Sequence, residues 1–169
     1  MGSRDRNLIV ITGTPGTGKT TIAKELEKLG IAKRIPQNVV KKAYVEFDNI
    51  LGVWVVDEDI LEKELRKFLT KNQNKLYVFD SHVAHFAPKD KVLLYVLLRC
   101  DPEILYKRLK EKGWNEYKIK ANVYAEIIEV IKKELKELEI DNYVEIWTDK
   151  ESIESIVEKI KDLIHKYDC

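Results

Sequence analysis

Leu8-Ile9-Val10-Ile11-Thr12-Gly13-Thr14-Pro15-Gly16-Thr17-Gly18-Lys19-Thr20-Thr21 is the stretch that decides the fold. Leu8 to Ile11 is a continuous apolar run that stops at a glycine-rich turn. Such a run reads as a strand buried on both faces, as in a parallel sheet. Beyond the turn, Ile22, Ala23, Leu26 and Leu29 recur at three- and four-residue steps, and Gly30 follows. A helix is therefore expected over 20–29, stopped by that glycine. Gly13 to Thr20 fits G-x-x-x-x-G-K-[ST] at every fixed position, with a strand before it and a helix after it. A triphosphate needs many hydrogen-bond donors converging on a small volume. Glycines let the backbone turn its N–H groups inward, and a helix N-terminus adds partial positive charge. The P-loop motif thus predicts an ATP site built from Gly13, Gly16, Thr17, Gly18, Lys19, Thr20 and Thr21. Lys19 is expected at the β- and γ-phosphates, Thr20 on Mg2+ and Thr21 at the α-phosphate.

Outward from this stretch the chain alternates between strand and helix signals. A short second strand is expected over 31–35 and an irregular or partly helical insertion over 36–53. A helix over 59–70 carries Ile60, Leu61, Leu65, Phe68 and Leu69 on its buried side. Strands are expected over 76–80, 92–98 and 143–147 from their apolar, β-branched and aromatic content. Asp101-Pro102-Glu103 opens a helix with an N-cap, a proline at the first position and an acid in the first turn. Asn115 is expected to cap one long helix to about 138. Thr148-x-x-Glu151 reads as a capping box for a last helix reaching about 166. Strand–helix alternation calls for an α/β fold with a parallel sheet and helices on both faces. The 169 residues suffice for one domain with its own core, taken as 1–169.

The 30 basic residues nearly balance the 29 acidic ones, so the total charge carries no general attraction to nucleic acid. No direct sequence-specific nucleic-acid binding is expected. No apolar run approaches the ~18 residues of a membrane span, and the first residues lack a signal-peptide core. Gly2-Ser3 is set aside from functional reasoning. Cys100 and Cys169 form no metal or disulfide spacing, so a reducing, cytoplasmic location is the expectation. Cys100 reads as a buried spectator and Cys169 as a frayed terminus.

The chemistry beyond the loop needs a carboxylate for the metal and cations for the transferring group. Asp80 ends an apolar strand, where α/β sheets bind their ligands, and is the candidate metal carboxylate with Thr20. Asp101 is read as an N-cap. His82, two residues past Asp80, is a candidate to orient a water or an acceptor hydroxyl as a neutral imidazole. His85 is read as a surface histidine in a loop. Arg108 and Lys112 are one turn apart on the helix leading to Gly113-Trp114-Asn115, and both are candidates to approach the nucleotide. Trp114 either covers the adenine or packs between two helices.

Four segments together resemble a known family. They are Gly13 to Thr21 with its particular filling; Val56-Asp57-Glu58-Asp59 before a helix; Asp80-Ser81-His82; and Leu105-Tyr106-Lys107-Arg108-Leu109 followed by Gly113-Trp114-Asn115-Glu116 and a Lys-x-x-Asn-x-x-x-Glu-Ile run. The chain resembles the adenylate kinase isoenzyme 6 type, which are nucleoside monophosphate kinases and ATPases tied to small-ribosomal-subunit maturation. The resemblance implies an adenylate-kinase-like three-layer fold with a five-stranded parallel sheet. It implies a monophosphate-binding insertion near 36–56 and a short lid near 112–122. It implies transfer from ATP to AMP, catalysis by Lys19, Asp80, His82 and Arg108, and ATP hydrolysis that depends on His82. It also implies a partner, ribosomal protein uS11 with the small ribosomal subunit precursor. Lys112 stands where relatives carry a lid arginine, and Lys41 and Lys42 stand where a monophosphate-binding arginine is sought. Lys42 is the candidate there, although lysine is a point charge without bidentate grip.

Overall fold

The computed structural model describes residues 4–168, with side chains to Tyr167. The readings of Gly2-Ser3 and Cys169 lie outside the described residues. In chain order the elements are β1 (Leu8–Thr12), α1 (Lys19–Lys28), β2 (Lys33–Arg34), α2 (Gln37–Val40), β3 (Tyr44–Asp48), β4 (Val53–Val56) and α3 (Glu58–Lys71). There follow β5 (Tyr77–Asp80), β6 (Val92–Arg99), α4 (Pro102–Glu111), α5 (Glu116–Ile127), α6 (Val130–Glu137), β7 (Val144–Trp147) and α7 (Ile153–Asp168).

Five strands form one parallel sheet in the order β2-β5-β1-β6-β7. β1 is central, and all five of its residues are buried. That is why it reads as an unbroken apolar run. Ile9 and Ile11 face a core layer with α1 and α7, whereas Leu8 and Val10 face a layer with α2 and α3. The order places the P-loop at the C-terminal edge of the sheet, at the crevice beside the central strand. In α3 the buried stripe is Leu61, Leu65 and Leu69, each fully buried and contributing on the order of 2 kcal/mol. Ile60, expected on that side, is 41% exposed, because it sits 100° around the helix from Leu61.

Three further expectations change. The insertion expected to be irregular or partly helical is helical over 37–43, as α2 and a 3-10 turn, but its remainder is an antiparallel hairpin of β3 and β4. Its alternation is obscured by a register shift between Tyr44 and Glu46, and Tyr44 stacks on Trp54 at 4.9 Å. The expected long helix after Asn115 is two helices, because Glu129 adopts the left-handed conformation at φ 58. That geometry costs roughly 1–2 kcal/mol for a residue with a Cβ. It is offset by the Glu129 carboxylate, which accepts from Arg99 Nη1 at 3.0 Å. The capping box at Thr148 does not form. Ser152 caps α7 instead by accepting from the Ser155 amide at 3.1 Å, and Thr148 turns back onto the P-loop. Asp101 caps α4 as expected, accepting from the Glu103 amide.

Among the described residues no helix is long and apolar enough to cross a membrane. Cys100 is fully buried, and burial pushes its thiol up to about 11, so it is inert.

Candidate active site

The loop from Gly13 to Gly18 connects β1 to α1 and is shaped by close backbone approach. A Cβ on Gly13 would lie 2.7 Å from the Leu98 carbonyl oxygen. Gly16, at φ +93, would bring a Cβ to 2.8 Å from Leu109 Cδ2. Neither position accepts a side chain without displacement. Inside the loop, Thr17 Oγ1 donates to the Thr14 carbonyl at 2.7 Å. Lys19 Nζ donates to the carbonyls of Gly13 at 2.8 Å and Thr14 at 3.0 Å. The loop thus binds its own lysine through two backbone carbonyls. Burial lowers the Lys19 ammonium to about 7, with Asp80 acting in the opposite sense and Lys112 in the same sense.

Asp80 stands at the C-terminal end of β5 beside Thr20. Thr20 Oγ1 donates to Asp80 Oδ2 at 3.0 Å. Arg34, at the end of β2, grips the same carboxylate twice, Nε to Oδ1 at 3.1 Å and Nη2 to Oδ2 at 2.9 Å. The Asp80 side chain is only 5% exposed, so this fork meets the requirement for a paired buried charge. Arg34 is absent from the residues singled out by sequence. It belongs to a two-residue strand, and nothing local marks it; only the parallel pairing of β2 with β5 brings it to Asp80. Thr20 and Asp80 offer hard oxygen donors at one place, the chemistry that Mg2+ selects when most of its shell is water and phosphate.

Two cavities flank the loop. The first, of about 410 Å³, lies between α1, the end of α4 and the turn at Thr148, and is bordered by Thr21, Arg108 and Lys112. Arg108 Nη1 donates to Thr148 Oγ1 at 2.9 Å and approaches the carbonyls of Gly16 at 3.3 Å and Thr17 at 3.4 Å. Thr148 Oγ1 in turn donates to the Thr17 carbonyl at 2.6 Å. The second cavity, of about 320 Å³, lies under the hairpin and is bordered by Lys19, Thr20, Asp80, His82, Trp54 and Trp114. Gly16 and Lys112 border both cavities. Trp114 also packs against the cluster of Cys100, Leu105, Leu109 and Ile119, so its ring is a wall as well as a helix contact.

The remaining candidates divide. His82 is half-buried at the second cavity, and its pKa falls to about 4, first from burial and then from the Lys19 charge. Its imidazole is therefore neutral at ordinary pH. His85 is not a surface residue: it is 1% exposed, 2.7 Å from Thr12 Oγ1 and 3.0 Å from Glu134 Oε1. The 3-10 turn at Ala84–Phe86 folds it against the end of β1. Lys42 pairs with Glu64 at 3.4 Å on the exposed side of the insertion and does not border the second cavity. Lys42 sits in the short helical turn at Lys41–Ala43. His165 is exposed on α7.

A profile of the AAA domain family matches residues 9–129, which spans the loop, the insertion and α5. A protein of Methanocaldococcus jannaschii named "Putative adenylate kinase" is 38% identical over 162 residues, covering 94% of this chain and 86% of its own. One of the same name from Sulfurisphaera tokodaii is 39% identical over 161 residues, covering 90% and 80%. Among solved structures, the YorR protein of Bacillus subtilis, in complex with phosphorylated GDP, superposes with a TM-score of 0.62. It is 19% identical and covers 94% of this chain and 95% of its own. The shikimate kinase of Bacteroides thetaiotaomicron gives 0.53 at 16% identity, covering 94% and 98%. At such identities the likeness concerns the fold, that of the P-loop kinases. Matched along nearly its whole length by these archaeal sequences, the chain belongs to their family, the adenylate kinase isoenzyme 6 type of P-loop phosphotransferase.

Proposed function

We propose that this protein transfers the γ-phosphoryl group of ATP to AMP and hydrolyses ATP slowly when no acceptor is bound. The observation that carries the reading is the pair of cavities on opposite flanks of one P-loop, meeting at Gly16 and Lys112. A donor nucleoside in the first and an acceptor phosphate in the second would bring attacking and leaving oxygens into line across Lys19. Thr20 and Asp80 would hold Mg2+, which when bound supplies charge neutralisation on the phosphate oxygens. Lys19 leaves its two carbonyls for the β- and γ-phosphates. Arg108, already turned toward the loop, stabilises charge that spreads in transfer. Tyr44 and Trp54 offer stacked rings beside the acceptor cavity, suited to an aromatic base. The test is ADP formation from MgATP with and without AMP. A strong AMP dependence is expected; ADP formation indifferent to AMP would remove the kinase reading.

The connection between α4 and α5 runs only from Lys112 to Asn115, which favours a leaky site beside the transferase. Water reaching the γ-phosphate meets the neutral imidazole of His82. His82→Ala is expected to lower acceptor-free hydrolysis about 10²-fold, with ATP affinity changed less than about threefold. Unchanged hydrolysis would remove that role. A second reading, an ATPase switch that binds ribosomal protein uS11 and the small ribosomal subunit precursor, is supported by this open connection and by the exposed hairpin side chains Val45, Phe47 and Ile50. Co-precipitation of purified uS11 with the ATP-loaded protein decides it.

The Lys19 ammonium also makes binding pH-dependent. A group at about 7 is mostly neutral at pH 8.5, and a polyphosphate beside it restores the charge. ATP binding at pH 8.5 should therefore take up a proton, read as a difference in calorimetric heat between two buffers of unlike ionisation enthalpy. At pH 6 the ammonium is already charged, and this uptake should vanish.

A further inference from the structure

α5 differs from its neighbours in what it buries. α3 presents leucines to the core, whereas the buried residues of α5 are Ile119, Asn122 and Glu126. Asn122 is 1% exposed and Glu126 is 3% exposed. They are four residues apart, so they share one face. Buried polar side chains cost free energy unless they are bonded, and each of these is bonded to a different part of the site.

Asn122 Nδ2 donates to the Leu51 carbonyl at 3.1 Å, at the tip of the β3–β4 hairpin. Its other hydrogen goes to the Lys118 carbonyl at 2.8 Å, within its own helix. Glu126 Oε1 accepts from Thr14 Oγ1 in the P-loop at 2.8 Å. Its Oε2 accepts from Arg99 Nε at 2.8 Å and from the Cys100 amide at 3.1 Å. One helix face therefore fastens the hairpin tip at one turn and the phosphate loop at the next. Beside that bond Ile50 is 49% exposed, and a Cβ placed on Gly52 would meet Lys118 at 3.6 Å and Trp114 at 3.7 Å, both from the α4–α5 region.

We propose that α5 couples the two substrate sites, with Asn122 as a positioning residue that carries the state of the P-loop to the acceptor-side hairpin. The inference rests on the acceptor reading above only for what the hairpin binds. Nucleotide drawing Thr14 and the loop around its phosphates fixes Glu126, and with it the helix. The helix holds Leu51 and hence the wall of the second cavity. By linkage the effect is reciprocal, so an occupied hairpin tightens the P-loop site by the same factor.

The test is hydrogen exchange of residues 44–56 with and without a non-hydrolysable ATP analogue, with no acceptor present. The analogue should slow exchange of the hairpin in the natural protein, and this protection should disappear in Asn122→Ala and Asn122→Leu. Exchange indifferent to the analogue in the natural protein, or protection that survives in both variants, overturns the coupling. The natural-protein arm stands whether or not the variants fold. A second readout is the analogue's affinity with and without AMP. AMP should tighten it on the order of tenfold in the natural protein and not in the variants, with the affinity of the analogue alone unchanged. AMP that does not bind the natural protein removes the acceptor assignment, while the exchange arm still decides the coupling.

Discussion

Lys19→Met lowers ADP formation from MgATP by about 10²–10³-fold, the loss expected when one preorganised charge is taken from a transferring group. The fold survives, because the side chain bonds only to loop carbonyls of Gly13 and Thr14 and none of its contacts belongs to a core cluster. Stability should report the same residue in the opposite sense. The ammonium titrates at about 7 in the fold and near its ordinary value of 10.5 when unfolded. Between those values the unfolded chain binds more protons, so the natural protein gains stability as pH rises from 7 to 10.5 and is penalised below 7. Lys19→Met removes this slope. Urea midpoints across pH 6 to 10 should therefore rise for the natural protein and stay flatter for the variant, in the absence of nucleotide. His82 adds a parallel effect on the acid side. Its pKa of about 4 lies below its usual 6.5, so stability falls as pH drops from 6.5 to 4. A variant with full turnover would end the assignment of Lys19 to the phosphates.

Arg99→Met is expected to destabilise the protein by about 3–5 kcal/mol, the cost of leaving a buried charge without its partner. Arg99 is 7% exposed at the end of β6 and bonds Glu126 at 2.8 Å, Glu129 at 3.0 Å and Glu145 at 3.0 Å. Burial works against its charge, and the carboxylates, Glu126 foremost, more than offset this and hold the guanidinium above its ordinary pKa. Its face also lies 4.8 Å from the Trp147 ring. Without it, Glu126 keeps only Thr14 and the Cys100 amide, and Glu129 loses an interaction that offsets its left-handed backbone. The double variant Arg99→Met with Glu126→Met should recover much of the loss, since the buried Glu126 carboxylate is removed with its partner while the more exposed Glu129 and Glu145 keep Lys132. The check is the urea midpoint of both proteins at pH 7. A loss below about 1 kcal/mol for Arg99→Met would mean that the network is solvated and carries little of the fold.

Much of the architecture was legible from local pattern. β1 and β6 are central strands, so their apolar runs are continuous. The cap at Asp101 with Pro102 is a short-range device that needs no tertiary partner. The hairpin was hidden because its exposed aromatic side chains, Phe47 and Trp54, break the usual alternation of apolar and polar faces. The break at Glu129 was hidden because glutamate is a good helix former, and the Arg99 guanidinium that helps offset its backbone comes from a distant strand. His85 looked like any loop histidine until the chain turned it under β1.

The P-loop, the order of strands and helices, and the place of Asp80 and His82 beside the loop follow from residues close together in the chain, because glycine geometry and apolar periodicity act over a few bonds. Which charges face one another does not. Arg34 on Asp80, Glu126 on Thr14 and Asn122 on Leu51 join residues 46, 112 and 71 positions apart. Only the closing of the sheet and the docking of α5 bring them within hydrogen-bonding distance, since the energy of such pairs depends on burial and direction that no local stretch encodes.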